Sequence, residues 1–154
     1  MAASPIKFGT SGWRGLIADD FTFANVRLAV ASIAGHAKIR APRPTLLVAC
    51  DTRFYSEEFT QLAVEVLQQH GIRVLRASTF APTPAVALEI MRRKLDGAIN
   101  FTASHNPAEY HGLKFSSSDA GPALPEVTRD IEAGTANTEV STLALHAALR
   151  ITFA

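Results

Sequence analysis

Between Thr45 and Phe101 the chain alternates three short apolar runs with two amphipathic stretches, and this alternation restricts the fold more than any other feature. Thr45 to Cys50 is a continuous apolar run of the kind buried on both faces of a sheet. Asp51-Thr52-Arg53 closes it, and Ser56 is placed to cap a helix whose first turn carries Glu57 and Glu58 at its positive end. Phe59, Leu62, Ala63, Val66 and Leu67 recur at i, i+3, i+4, i+7, i+8, and Gly71 stops the helix. Ile72 to Ser78 is the next strand. Thr83-Pro84 offers a cap and a first-turn proline for a helix through Lys94, with Arg92, Arg93 and Lys94 at its negative end. Asp96-Gly97 turns into a third strand, Gly97 to Phe101. Strand–helix–strand–helix–strand of this kind closes only through right-handed crossovers in a mainly parallel sheet.

The flanks extend that core. Phe21 to Arg40 is predicted to be helical, with Thr22 as N-cap and Phe23, Val26, Val30, Ile33 and Ala37 at helical spacing. Leu28, Ala29, Ala31 and Ala34 widen its apolar face, and Ala41-Pro42-Arg43-Pro44 ends it. His36 reads as a solvated or core histidine. Before this helix, within Ile6 to Gly15, a short strand runs into a segment with glycines at 9, 12 and 15, a spacing that suits a hairpin or a close backbone approach to a ligand. After Phe101, Leu113 to Ser117 returns as a strand, antiparallel by expectation. Ser116 to Pro122 is a polar loop, and Pro125 opens a short helix with Val127 and Ile131 inward and Gly134 as its stop. Gly134 to Ser141 reads as a linker. Leu143 to Phe153 alternates like a strand in a composition that favours helix, so its structure is open. The expected fold is α/β, three-layer α/β/α with a mainly parallel mixed sheet, in a single domain over residues 1–134, with 135–154 as linker and tail.

A chain of 154 residues that is 47% hydrophobic and 19% charged can bury a core and is not disordered. A formal net charge of +1 gives no electrostatic reason to bind nucleic acid or a membrane surface. Cys50, the lone cysteine, forms no internal disulfide, and its apolar flank suggests a buried strand, in keeping with a reducing compartment. The beginning Met-Ala-Ala-Ser-Pro-Ile-Lys lacks the apolar core of a signal peptide. The best apolar run, Val26 to Ile39, is broken by Arg27, His36 and Lys38. A soluble, cytoplasmic protein is expected.

The chemistry concentrates between Asn100 and Lys114. A strand empties into Thr102-Ala103-Ser104-His105-Asn106-Pro107, where Pro107 pushes Asn106 out of the helical region and leaves Ser104 on an exposed loop at a strand end. Ligands of open α/β sheets gather at the carboxyl ends of strands. A hydroxyl, a proton carrier (His105), an amide (Asn106) and a cation (Lys114) fit acyl or phosphoryl transfer, although the same residues also make an acceptable surface turn. Lys114 alone would suit a solvated strand edge, Arg14 could pair with Asp19 or Asp20, and His111 reads as a surface residue. Zinc held by His105 and His111 is a poor fit, because no cysteine or carboxylate completes the spacing.

The loop Thr102 to Pro107, followed by Gly112-Leu113-Lys114, resembles the phosphoserine loop of the α-D-phosphohexomutases, the phosphoglucomutase/phosphomannomutase family. Phe8-Gly9-Thr10-Ser11-Gly12-Trp13-Arg14-Gly15 resembles the family's amino-terminal signature, and Asp51/Arg53 a further family segment, read here as shaping the ligand-side edge of the sheet. The resemblance covers nearly the whole chain but only the first of four family domains. It implies an intramolecular phosphotransferase that interconverts hexose 1- and 6-phosphates through a bisphosphate. Ser104 is then the phosphorylated nucleophile and, through its phosphate, one ligand of Mg2+. Lys114 is the general acid/base, which requires a lowered pKa, and His105 shares proton transfer or binds substrate. Arg14, Ser11 and Asn106 bind phosphate or substrate, or shape the loop. The remaining domains would be the partners of this one. The family's Asp-Gly-Asp-x-Asp-Arg magnesium loop has no counterpart among Asp19, Asp20, Asp51, Asp96, Asp119 and Asp130, so a piece of a larger enzyme, inactive alone, is expected. The alternative is a free-standing phosphosugar- or protein-binding module. Glucose, mannose and glucosamine phosphates all stay open as substrates, with glucose and mannose preferred.

Overall fold

The computed structural model describes residues 6–9 and 12–136. Ser11 and the tail from 137 onward, including the Leu143–Phe153 segment, lie outside the described residues. In chain order the elements are β1 (Phe8–Gly9), β2 (Gly12–Leu16), α1 (Phe23–Arg40), β3 (Thr45–Cys50), α2 (Ser56–Gln69), β4 (Arg73–Arg76), α3 (Thr83–Arg93), β5 (Gly97–Phe101) and β6 (Tyr110–Ser117). A fourth helix, α4, covers 125–136.

The six strands form one sheet in the order β1-β2-β6-β5-β3-β4. Strand β3 pairs in parallel with both β4 and β5, while β6 runs antiparallel to β5 and β2 antiparallel to β6. From β3 the chain steps outward to β4 and then back past β3 to β5. Two right-handed crossovers that travel in opposite directions must put their helices on opposite faces. The core divides accordingly. Val26, Val30 and Ile33 of α1, Phe59 and Val66 of α2, and Val127 and Ile131 of α4 pack with Leu46, Val48, Ile99, Phe101, Leu113 and Phe115. On the other face Val86 and Ile90 of α3 pack with Leu47, Ala49 and Ala98. Successive residues of β3 thus serve alternate cores, which is why that run is apolar without a break.

Helix ends explain several departures from expectation. Thr22 caps α1, accepting a bond from Asn25 N–H at 3.1 Å. Ser56 does not cap α2. The cap position is Tyr55, held in the left-handed region at φ 64°, and Ser56 is the first helical residue with its hydroxyl turned inward. Likewise Pro82, not Thr83, stands at the N-cap of α3; Thr83 opens the helix and its hydroxyl accepts from Asn100 Nδ2 at 3.3 Å. Gly134 is not a stop either. It lies inside α4, where an added Cβ would run into Ser32 Oγ of α1. Ser32 itself donates to Ile131 O at 2.6 Å, so two helices meet there at backbone distance.

Among the described residues no helix is long and apolar enough to cross a membrane. Cys50 is buried, and burial raises its thiol pKa.

Candidate active site: the loop after β5

β3 and β5 are adjacent and parallel, and their last residues, Cys50 and Phe101, pair in register. The loops that follow them therefore emerge side by side at the carboxyl edge of the sheet. The second loop carries Ser104, whose side chain is exposed while Ala103 before it is fully buried. Ser104 is left-handed, at φ 58°, a conformation uncommon for a residue with a Cβ. Its N–H donates to Thr102 Oγ1 at 3.0 Å, and Asn106 N–H donates to Ala103 O at 3.1 Å, closing the turn. His105 Nδ1 is 3.5 Å from Ser104 Oγ, at the outer limit of a hydrogen bond.

Arg53, from the first loop, holds this turn. Its Nη1 donates to Pro107 O at 2.8 Å and Tyr110 O at 3.0 Å. Its Nη2 donates to Ser104 O at 3.0 Å and Asn106 O at 2.6 Å. A guanidinium has enough N–H groups in one rigid plane to gather four carbonyls; an ammonium does not. Asp51 sets the guanidinium in turn, with Oδ2 3.5 Å from Nε and Oδ1 accepting Arg53 N–H at 3.0 Å. The ligand-side role read for Asp51 and Arg53 is thus specific: they fix the backbone under Ser104.

Behind them lies a residue that the sequence does not betray. His111 is not at the surface. It is 0% exposed, with its ring 5.0 Å from those of Phe21 and Phe59. Its Nδ1 lies 2.9 Å from Gly112 N–H and 3.3 Å from Gly112 O; the shorter contact makes it the acceptor and leaves the proton on Nε2. Nε2 is 3.0 Å from Ser56 Oγ, which donates onward to Asp51 Oδ1 at 3.1 Å. Burial depresses the His111 pKa, which favours the neutral ring. Buried this way, His111 cannot share a zinc ion with His105.

The two cations lie on the α3 face, opposite to His111, Leu113 and Phe115 by the strand alternation. Arg14 on β2 is paired with Gly112 of β6. A Cβ on Gly112 would come 3.1 Å from Arg14 Cγ and 2.5 Å from Thr102 O, and one on Gly12 would come 3.0 Å from Lys114 Cγ. Glycines thus make room for both basic stems. Lys114 is half-buried and lines a cavity of about 230 Å³ together with Thr83 and Ser116. Burial first, and then the Arg14 guanidinium, lower the Lys114 pKa; Asp51 opposes them.

Residues 5–141 match the family model described as phosphoglucomutase/phosphomannomutase, alpha/beta/alpha domain I. The chain belongs to this family. Within the phosphoglucomutase/phosphomannomutase family it is 32% identical over 120 residues to a phosphoglucomutase of Staphylococcus epidermidis, covering 74% of this chain and 21% of that protein. It is 35% identical over 130 residues to a phosphoglucosamine mutase of Levilactobacillus brevis, covering 82% of this chain and 29% of that protein. A solved structure of a proposed phosphomannomutase from Thermus thermophilus superposes with a TM-score of 0.82 at 34% identity, over 86% of this chain and 30% of the other. The match therefore spans under a third of the length of each of these relatives.

Proposed function

We propose that this chain is the phosphoserine-bearing domain of a phosphohexomutase, an isomerase that moves a phosphoryl group between the 1- and 6-positions of a hexose. The carrying observation is the exposed Ser104 hydroxyl, raised on a turn that Arg53 fixes by four hydrogen bonds. A group that gives and recovers phosphate must be accessible yet immobile, because phosphoryl transfer depends on position and charge more than on covalent assistance.

In this reading, phosphorylated Ser104 meets a sugar hydroxyl. The hydroxyl proton passes to the neutral Lys114 amine as its oxygen attacks phosphorus. The bond from phosphorus to Ser104 Oγ breaks, its electron pair stays on Oγ, and His105 supplies the proton. The bisphosphate then turns end for end, and the same steps run in reverse from its other phosphate. Arg14 holds a phosphate and, through its charge, keeps Lys114 ready to accept a proton. Asn106 shapes the loop through its amide, and Ser11 is assigned to phosphate or substrate binding.

Among the described residues no cluster of three or more His, Cys, Asp or Glu could hold a metal. These residues alone do not fit a magnesium shell. In the complete enzyme Mg2+ would take a phosphoryl oxygen of Ser104 and draw its other ligands, like the rest of the sugar site, from further domains. Glucose or mannose phosphate is the proposed substrate, in a cytoplasmic enzyme.

Intact-mass analysis tests the nucleophile directly. In the complete enzyme a fraction heavier by one phosphoryl group is expected, and Ser104→Ala should abolish it; a modified mass that survives the substitution would place the phosphate elsewhere.

A further inference from the structure

Asn100 is the one buried polar side chain on the α3 face of β5 whose bonding the fold leaves incomplete among the described residues. It is 4% exposed, and its Nδ2 donates to Thr83 Oγ1 at 3.3 Å. Its Oδ1, fully shielded, has no hydrogen-bond partner among the described residues. A buried amide oxygen left unmatched is costly, so a donor that reaches it is strongly favoured.

The register says which donor is in range. Asn100 and Lys114 are direct partners across the antiparallel β5–β6 pair, so their side chains leave the same face a few ångströms apart. Lys114 carries three N–H donors on a flexible stem, and Gly12 leaves its other flank open. The charged groups that act on Lys114 are Arg14, which repels it, and Asp51, which attracts it. Neither of them fixes the direction of the amine.

We propose that Asn100 is a positioning residue for Lys114, its Oδ1 accepting a hydrogen bond from the ammonium and so setting where the amine points. This rests on the acid/base role proposed for Lys114. An amide is suited to that role in a way a carboxylate is not. Oδ1 accepts from the ammonium; after a half turn, Nδ2 donates to the lone pair of the neutral amine. Thr83 Oγ1 tolerates both, since a hydroxyl accepts from Nδ2 or donates to Oδ1 equally well. Lys114 can therefore gain and lose its proton beside the same neutral partner. Asparagine in mid-strand is otherwise unfavourable, and its place here follows from this contact.

The test is an NMR titration of the Lys114 ε-group in the 154-residue chain; with four lysines in the sequence, the resonance missing from Lys114→Met assigns it. Asn100→Ala removes the charge-assisted bond to the ammonium, which is stronger than the neutral bond to the amine, and should lower the Lys114 pKa by about one unit. Asn100→Asp, nearly the same shape, should raise it by about one unit or more. Identical titration in the wild type and Asn100→Ala would overturn the pairing, as would an unshifted Lys114 in Asn100→Asp should the alanine variant not fold. In the complete enzyme, Asn100→Ala should lower kcat with KM little changed. Shifts in the titration without any mutase activity would leave the pair intact and remove the catalytic reading instead.

Discussion

Lys114 is where burial and charge act most directly on the proposed chemistry. A lysine whose pKa is depressed by burial and by Arg14 is neutral over more of the accessible pH range than an exposed one. In the complete enzyme the rate should rise with pH through an apparent pKa below 10.5, and Lys114→Met should lower kcat far more than it alters KM. Equal losses in both would assign Lys114 to binding. His111 gives a stability prediction of defined sign. Its folded pKa lies below 6.5, so the unfolded chain takes up the proton first as pH falls. Stability should then drop as pH passes down through 6.5 and level off below the folded pKa, and His36, also depressed by burial, adds to the slope. Urea midpoints between about pH 7.5 and 5.5 measure this. His111→Gln should start from a lower midpoint and show a shallower fall; an unchanged slope would mean that the ring does not carry the effect.

At the level of elements, the apolar periodicity of α2 and the unbroken run of β3 were legible, because burial on one stripe or on two faces leaves a direct pattern in the residues. The exposed turn that carries Ser104 was legible from Asn106-Pro107, which breaks the strand there. What escaped depended on partners remote in the chain. His111 looks like a polar residue near a turn until Ser56, fifty-five positions away, satisfies it. Ser56 and Thr83 have the chemistry of caps, but inward partners claim both hydroxyls. Gly134 reads as a helix stop because glycine usually is one, whereas here α1 needs the space. Gly134→Ala tests that. Helix propensity alone would favour alanine by about 1 kcal/mol. Displacing Ser32 from its buried bond to Ile131 O should outweigh it, for a net loss of about 1–2 kcal/mol by chemical denaturation. Ser32→Ala in the same chain should recover part of that loss, and a stabilised Gly134→Ala would show that α1 and α4 can separate.

For the whole molecule, the residues proposed for the site gather around the carboxyl end of β5. Ser104, Arg53, Lys114 and Arg14 come from two loops and two strands of this domain, yet the described residues supply no metal cluster, and the match spans under a third of each relative. In the proposed reaction a hexose must turn around, and so needs contacts at both ends. Purified as 154 residues, the chain should fold cooperatively, take phosphate at Ser104 only slowly when offered a hexose bisphosphate, and give mutase rates at background. Robust turnover by this chain would show that one domain suffices.

The left-handed backbone at position 104 has a consequence for which residues could ever occupy it. Glycine, asparagine and aspartate accept that twist readily but bear no alcohol. Threonine bears one, but the branch at its Cβ crowds the peptide in this region of conformational space. The hand of a single residue thus narrows two candidate alcohols to the primary one, and the preference for serine is enforced by stereochemistry before any substrate arrives.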